Sequence, residues 1–209
     1  MPYPVSVTIE PLIAPRDRLT TAFRLVLAIP HIILVGGIGL SFAARDSNGS
    51  AGAGGETGLL GAVAVILAIV SWFTIVIAGQ HIAGIRQFTL VYLRWRLRAI
   101  AYLMLLEDRY PPFGDGPYPA SVIVVDPAGP RDRLTVGLRL LLLIPHALVL
   151  FFLVCAWWVT TIIAWFAILA TGAYPQGLYE FGVGVLRWFM RVEAYGLLLV
   201  DEYPPFSMT

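Results

Sequence analysis

Apolar and polar positions fall into three kinds of stretch, and each kind occurs twice. The first is short and alternating, "YPVSVTIE" at Tyr3 to Glu10 and "YPASVIVV" at Tyr118 to Val125. Period-two alternation bounded by prolines predicts a brief strand outside any membrane. The second is long and almost uniformly apolar. Leu19 to Ala43 is broken only by Arg24 and His31, Leu59 to Gly79 has no charge, and Leu140 to Gly172 has none apart from what His146 carries. A hydrocarbon core about 30 Å thick takes about 20 helical residues. The first two runs therefore each suit one span. The third is too long for one and short for two, so it predicts two helices joined by a minimal turn near Ala156 to Thr161; a single tilted helix kinked at Pro145 is the alternative. The third kind of stretch places Arg94, Arg98 and Tyr102, and likewise Arg187, Arg191 and Tyr195, at i, i+4 and i+8, one polar stripe on an otherwise apolar helix. Carrying these arginines through a bilayer centre costs roughly 2.5 to 3.5 kcal/mol each. An amphipathic helix lying in the interface avoids that cost, with burial against its own hairpin as the alternative.

The recurrence is a duplication. "PRDRLT" at Pro15 to Thr20 returns unchanged at Pro130 to Thr135, and "IPH" at Ile29 to His31 returns at Ile144 to His146, both 115 residues on. Trp72 matches Trp165, Arg94-Trp95 matches Arg187-Trp188, and Tyr-Pro-Pro-Phe at 110–113 matches 203–206, all 93 residues apart. The offset falls by 22 between His31 and Trp72, so the first copy carries an insertion, and "ARDSNGSAGAGGETG" at about 44–58 has the Gly/Ser-rich composition of a flexible loop. The expected organisation is residues 1–115 as the first repeat and 116–209 as the second. Each repeat is a short strand, a transmembrane helical hairpin and an amphipathic interfacial helix, giving a mainly α membrane protein with about four spans. An even number of spans per copy makes the duplication parallel, with a pseudo-twofold axis along the membrane normal.

Composition agrees with a membrane setting. The chain is 58% hydrophobic and 13% charged, with mean hydropathy +0.80, against roughly a quarter charged in soluble domains. A net charge of +1 gives no reason to expect nucleic acid. The single cysteine, Cys155, excludes an intramolecular disulfide and a thiolate cluster. The first eighteen residues lack the pattern of a cleaved signal peptide. All fourteen basic residues are arginine, which reads as a habit of base composition, and thirteen of them fall on the side of the strands and helix caps. The positive-inside tendency then puts both termini in the cytoplasm.

The order of these motifs, with "TGAYPQGLYEF" at Thr171 to Phe181, "LRWFMRVEAY" at Leu186 to Tyr195 and "DEYPPF" at the end, resembles the bacterial membrane-protein family known as domain of unknown function 4389, in two tandem copies over nearly the whole chain. The resemblance implies a bacterial inner-membrane protein and brings no established activity, substrate or catalytic residue. Copy one departs from the pattern at His81 and Ile82, which stand where copy two has Tyr174 and Pro175.

Few residues carry candidate chemistry. Asp17 and Asp132 stand where an N-cap accepts helix amide hydrogens; the flanking arginines read as solvated, an anion site being the sharper reading. His31 and His146 are equivalent histidines after a proline and are the weak candidates for haem ligation or quinone contact. Glu107, Asp108, Arg109, Asp201 and Glu202 adjoin a Pro-Pro turn and are expected to pair with the RDR arginines of a neighbouring module. Glu193 beside Arg187 and Arg191 reads as ordinary helix charge patterning. Tyr110, Phe113, Tyr203 and Phe206 are headgroup anchors or a partner hook, and with Arg94, Arg98, Tyr102, Arg187, Arg191 and Tyr195 they make the candidate surface for lipid or partner. Phosphate-loop, nucleophile-elbow and metalloprotease motifs are missing. The expectation is a non-enzymatic module without cofactor that scaffolds or accompanies a membrane complex or forms a homo-oligomer. The alternatives are a channel along the pseudo-twofold lined by Thr74, Gln80, Thr160 and Thr161, and a haem or quinone protein.

Overall fold

The structure, a computed structural model, describes residues 3–38, 58–127, 129 and 131–209. The order is β1 (Val5–Ile9), α1 (Arg18–Ala22), α2 (Arg24–Val35), α3 (Gly58–Ala78), α4 (Ala83–Leu103), β2 (Ala120–Val124), α5 (Arg133–Gly137), α6 (Arg139–Thr171) and α7 (Gln176–Gly196). The Gly/Ser-rich loop expected at 44–58 lies outside the described residues except for Gly58, which opens α3.

The alternating runs make one strand each, and the two strands pair antiparallel with one another. Their register places Val7 opposite Val122, and these are equivalent residues of the two copies. A pseudo-twofold axis therefore passes through that pair. Inward residues Val5, Val7, Ile9, Ala120 and Val122 are buried while Ser6, Thr8 and Ser121 face out, the half-buried pattern that period-two alternation demands. The sheet packs only on α4 and α7 among the described elements. Those two helices pack in turn on each other and on the long apolar helices, α4 on α2 and α3 and α7 on α6. The result is three layers: sheet, then α4 and α7, then the long helices.

Two expectations are corrected here. First, Ala156 to Thr161 form no turn; α6 is continuous over 33 residues, with Pro145 inside it. A proline in the second turn forfeits few internal hydrogen bonds, so the helix survives it. The apolar segment of copy two is thus one helix and not a hairpin. Copy one follows the same plan in two pieces: the 12 residues of α2 are equivalent to the first part of α6 and the 21 of α3 to the rest. The end of α2 abuts the start of α3, since a Cβ at Gly58 would lie 2.3 Å from the Gly36 amide nitrogen and 2.8 Å from the Leu34 carbonyl oxygen, and Gly58 sits at φ +63°. Only glycine tolerates that approach and that backbone. The insertion therefore interrupts a helix that copy two leaves whole.

Second, α4 and α7 are not exposed interfacial helices. Residues 96–103 of α4 are all buried, as is most of α7. They are the centre of the molecule, and the exposed apolar surface belongs to the long helices. In α3 and α6 only 22% of the most apolar window is buried within the chain. Both are long and apolar enough to cross a membrane by length and composition.

Candidate functional site

Each repeat builds the same clamp around its Tyr-Pro-Pro-Phe turn. In copy one, Arg24 donates to the carbonyls of Glu107 (2.6 Å) and Tyr102 (3.4 Å) and to the Asp108 carboxylate at 2.5 Å. Its guanidinium lies over the Tyr102 ring, 4.2 Å from the centroid. Arg16 meets the same carboxylate at 2.9 Å. In copy two Arg139 donates to Tyr195, Val200 and Asp201 at 2.8, 2.7 and 3.1 Å, lies 4.1 Å from the Tyr195 centroid, and shares Asp201 with Arg131 at 2.9 Å. Every partner in one list is the repeat equivalent of its counterpart in the other. The fork of arginine donors suits this task because it bridges carbonyl and carboxylate at once. Asp108 and Asp201 therefore pair within their own module, not with its neighbour; of the arginines flanking the caps, Arg16 is buried and Arg131 half-buried, while Arg18 and Arg133 are exposed. Both clamps rest on a left-handed leucine, Leu105 at φ 62° and Leu198 at φ 63°. Glu107 accepts from the amides of Asp108 and Arg109, and burial pushes its carboxyl above the usual range, against the pull of those hydrogen bonds.

His31 and His146 are the second repeated unit. Trp95 donates its indole N–H to Nδ1 of His31 at 3.0 Å, and Trp188 does the same to His146 at 3.2 Å. An indole can only donate, so Nδ1 is unprotonated and each ring is the neutral Nε2–H tautomer. Phe113 stacks on His31 (4.7 Å, 16°) and Phe206 on His146 (4.0 Å, 16°), with Tyr110 and Tyr203 tilted against them. Each histidine is enclosed by its own module's turn. No ring contact joins the two among the described residues. Tyr110, Phe113, Tyr203 and Phe206 remain between 40% and 60% exposed.

Asp17 caps α1 by accepting from the amides of Leu19 (2.9 Å) and Thr20 (3.3 Å), and Asp132 caps α5 on Leu134 and Thr135 at 3.0 and 3.3 Å. Arg94 and Arg98 tie α4 to Asp115, Arg98 also reaching the Gly114 carbonyl; Arg187 reaches Val7 in the sheet and Arg191 reaches Ser207. The stripe is thus engaged inside the chain. Tyr102 and Tyr195 are buried under the clamp arginines. Of the residues considered for a channel, Thr74 and Thr160 bond back to carbonyls of their own helices, and Thr161 is buried.

The modules interlock by exchange. Trp72 of copy one donates to the Val136 carbonyl of copy two at 2.9 Å, and Trp165 of copy two donates to Thr21 of copy one at 2.9 Å. Beside these tryptophans lie two equivalent apolar cavities, one of about 430 Å³ between Trp72, Arg139 and Leu198 and one of about 300 Å³ between Trp165, Arg24 and Leu105.

At the centre stands a pair that sequence reading misassigned. Arg96 and Glu193 meet at 2.8 Å with both side chains fully buried. Burial alone lowers the Arg96 guanidinium, but Glu193 and Tyr92 overcome it and hold it above its ordinary value. Arg96 lies 5.8 Å from the ring of Phe189, its own repeat equivalent, so the pair sits on the pseudo-twofold and fills it. Its second task is a hydrogen bond to the Val35 carbonyl at 2.5 Å. Val35 ends α2, where the insertion removes the amide that a continuous helix would supply. The legible signal was the broken match itself: Arg96 against Phe189, and Ile100 against Glu193.

No curated protein matches the chain, and no solved structure does. The family model described as Domain of unknown function (DUF4389) matches residues 57–114 and 133–208, one segment in each copy and more than half of the chain together. The two matched segments each hold an apolar helix, a clamp helix and its Tyr-Pro-Pro-Phe turn, and this chain belongs to that family.

Proposed function

We propose that the protein is a non-catalytic module seated in a membrane, an accessory or scaffolding subunit of a larger assembly or a homo-oligomer, with both termini on the cytoplasmic side. The observation that carries the reading is the exposed face of the long helices. Leu140, Leu148, Phe152, Val159 and Phe166 on α6, and Ile66, Phe73 and Ile77 on α3, are each more than half exposed. A contiguous apolar surface of that extent marks lipid or a protein partner. The repeated polar residues support a structural role, because clamp, cap and stripe all bond within the chain and hold the turn against the helices.

The test is isolation of the tagged protein from its native membrane in mild detergent, followed by native mass spectrometry and a visible spectrum of the same fraction. A colourless complex with stoichiometric foreign subunits, or a homo-oligomer, is expected. A monodisperse monomer that recovers no partner defeats the scaffolding reading, and absorbance beyond the aromatic band brings back His31 and His146 as cofactor ligands.

A further inference from the structure

We propose that the long helices lie along one leaflet instead of crossing the bilayer, so that α2, α3 and α6 form a lipid-seated floor under the rest of the protein. This rests on the membrane reading above and specifies which surface meets lipid and how.

The argument is one of symmetry. Helix α6 begins at Arg139, beside Arg131 and Asp201 of copy two. It ends against copy one, where Arg18 donates to the Ala170 carbonyl and the Arg16 amide to Gly172. Arg16 and Arg131 are equivalent, so α6 runs from a point to its symmetry mate. A line joining two such points crosses the twofold at a right angle. The helix, about 50 Å long at 1.5 Å per residue, is therefore perpendicular to the axis, and the α2 and α3 pair runs the opposite way.

Only two membrane placements keep that geometry. If the helices span, the axis lies in the membrane plane and everything on it sits at mid-depth. The sheet is on it, with Ser6, Thr8 and Ser121 facing out, neither edge joined by a further strand among the described residues, and the partly buried Arg187 bonded to Val7. Open sheet edges do not occur in the hydrocarbon region, since nothing there satisfies their backbone. A span of about 50 Å further exceeds the 30 Å core. If instead the axis is the membrane normal, each difficulty disappears. The sheet stands on the water side, separated from the floor by α4 and α7, while Leu141, Leu148, Phe152, Val159 and Phe166 point into lipid along the whole of α6. Amphipathic helices in the interface bury such a face by about 5 to 10 Å.

Depth measurement separates the two placements. In a Cys155→Ala background, nitroxide labels at Leu141→Cys, Leu148→Cys, Phe152→Cys, Val159→Cys and Phe166→Cys are read in phosphatidylcholine and phosphatidylglycerol vesicles by their relative accessibility to oxygen and to a water-soluble nickel complex. All five positions are exposed in the fold, so the labels disturb little packing. Five labels at one shallow depth without trend are expected. Depth that is greatest at the middle labels, Phe152 and Val159, and falls toward Leu141 and Phe166, as on a helix crossing both leaflets over about 38 Å, overturns the in-plane placement and leaves the membrane reading standing. Labels fully open to nickel on protein that does not sediment with vesicles overturn both.

Discussion

Copy one and copy two make the same clamp and the same histidine cage, yet they differ at the middle of their long helices, and that difference accounts for the Arg96–Glu193 pair, fully buried on both sides. In copy two the carbonyl of Leu150 lies inside the continuous α6, where the helix satisfies it. Its equivalent in copy one, Val35, is the last residue of α2, so its helical partner is gone. Arg96 supplies the missing donor. A buried guanidinium needs a counter-charge, and Glu193 provides it from α7. Neither residue is repeated: Phe189 of copy two stands where copy one has Arg96, and Ile100 of copy one stands where copy two has Glu193. Repeated residues thus build the module, and unrepeated ones repair an interruption in one of them.

The largest expected effect follows from breaking that repair. Arg96→Ala takes the counter-charge from Glu193 in the core, and removing one partner of a buried pair costs roughly 3 to 5 kcal/mol. Unfolding in detergent followed by tryptophan fluorescence should show that loss for Arg96→Ala and a similar one for Glu193→Ala. A cost near that of a surface substitution would mean that the pair does not hold the centre together.

Next in size is the clamp, where the copies should agree. Arg24→Met removes charge-assisted hydrogen bonds and a ring contact but leaves Asp108 paired with Arg16, and Arg139→Met does the same at Asp201. Hydrogen bonds to charged groups are worth about 1.5 to 3 kcal/mol. Both variants should lose that much, and by nearly equal amounts in the same unfolding assay. A large loss in one and none in the other would show that the modules share shape without sharing energetics.

The repeat, the strands and the caps were legible because each has a local signature: a constant offset, period-two alternation, an aspartate before an apolar run. The interfacial position of α4 and α7 was misread because a stripe of Arg94, Arg98 and Tyr102 looks the same whether it faces headgroups or the carbonyls and Asp115 of its own chain. Sequence spacing fixes the stripe, and only tertiary packing decides what it faces. The long helices were misread for a related reason. Thirty-three apolar residues exceed one bilayer thickness, but length alone does not break a helix, and α6 runs unbroken through Ala156 to Thr161. The clamp arginines were within reach, as Arg24 and Arg139 match at the repeat offset.

The smallest effect is the sharpest test of the comparison. Deleting residues 36–57 removes 22 residues, the same number by which the repeat offset falls, and joins Val35 directly to Gly58. If α2 and α3 are one interrupted helix, the product carries a continuous 33-residue helix like α6, folds, and unfolds within about 1 kcal/mol of the parent, the scale of moving one glycine, Gly58, from a helix end into its interior. The deletion should also release the repair. In the parent, Arg96→Phe with Glu193→Ile restores the match between copies but leaves the Val35 carbonyl without a donor, a cost of about 1 to 3 kcal/mol. In the deleted protein the rebuilt helix bonds that carbonyl, and the same double substitution should cost markedly less. Equal costs in the two backgrounds would show that Arg96 and Glu193 serve the central packing alone and owe nothing to the insertion.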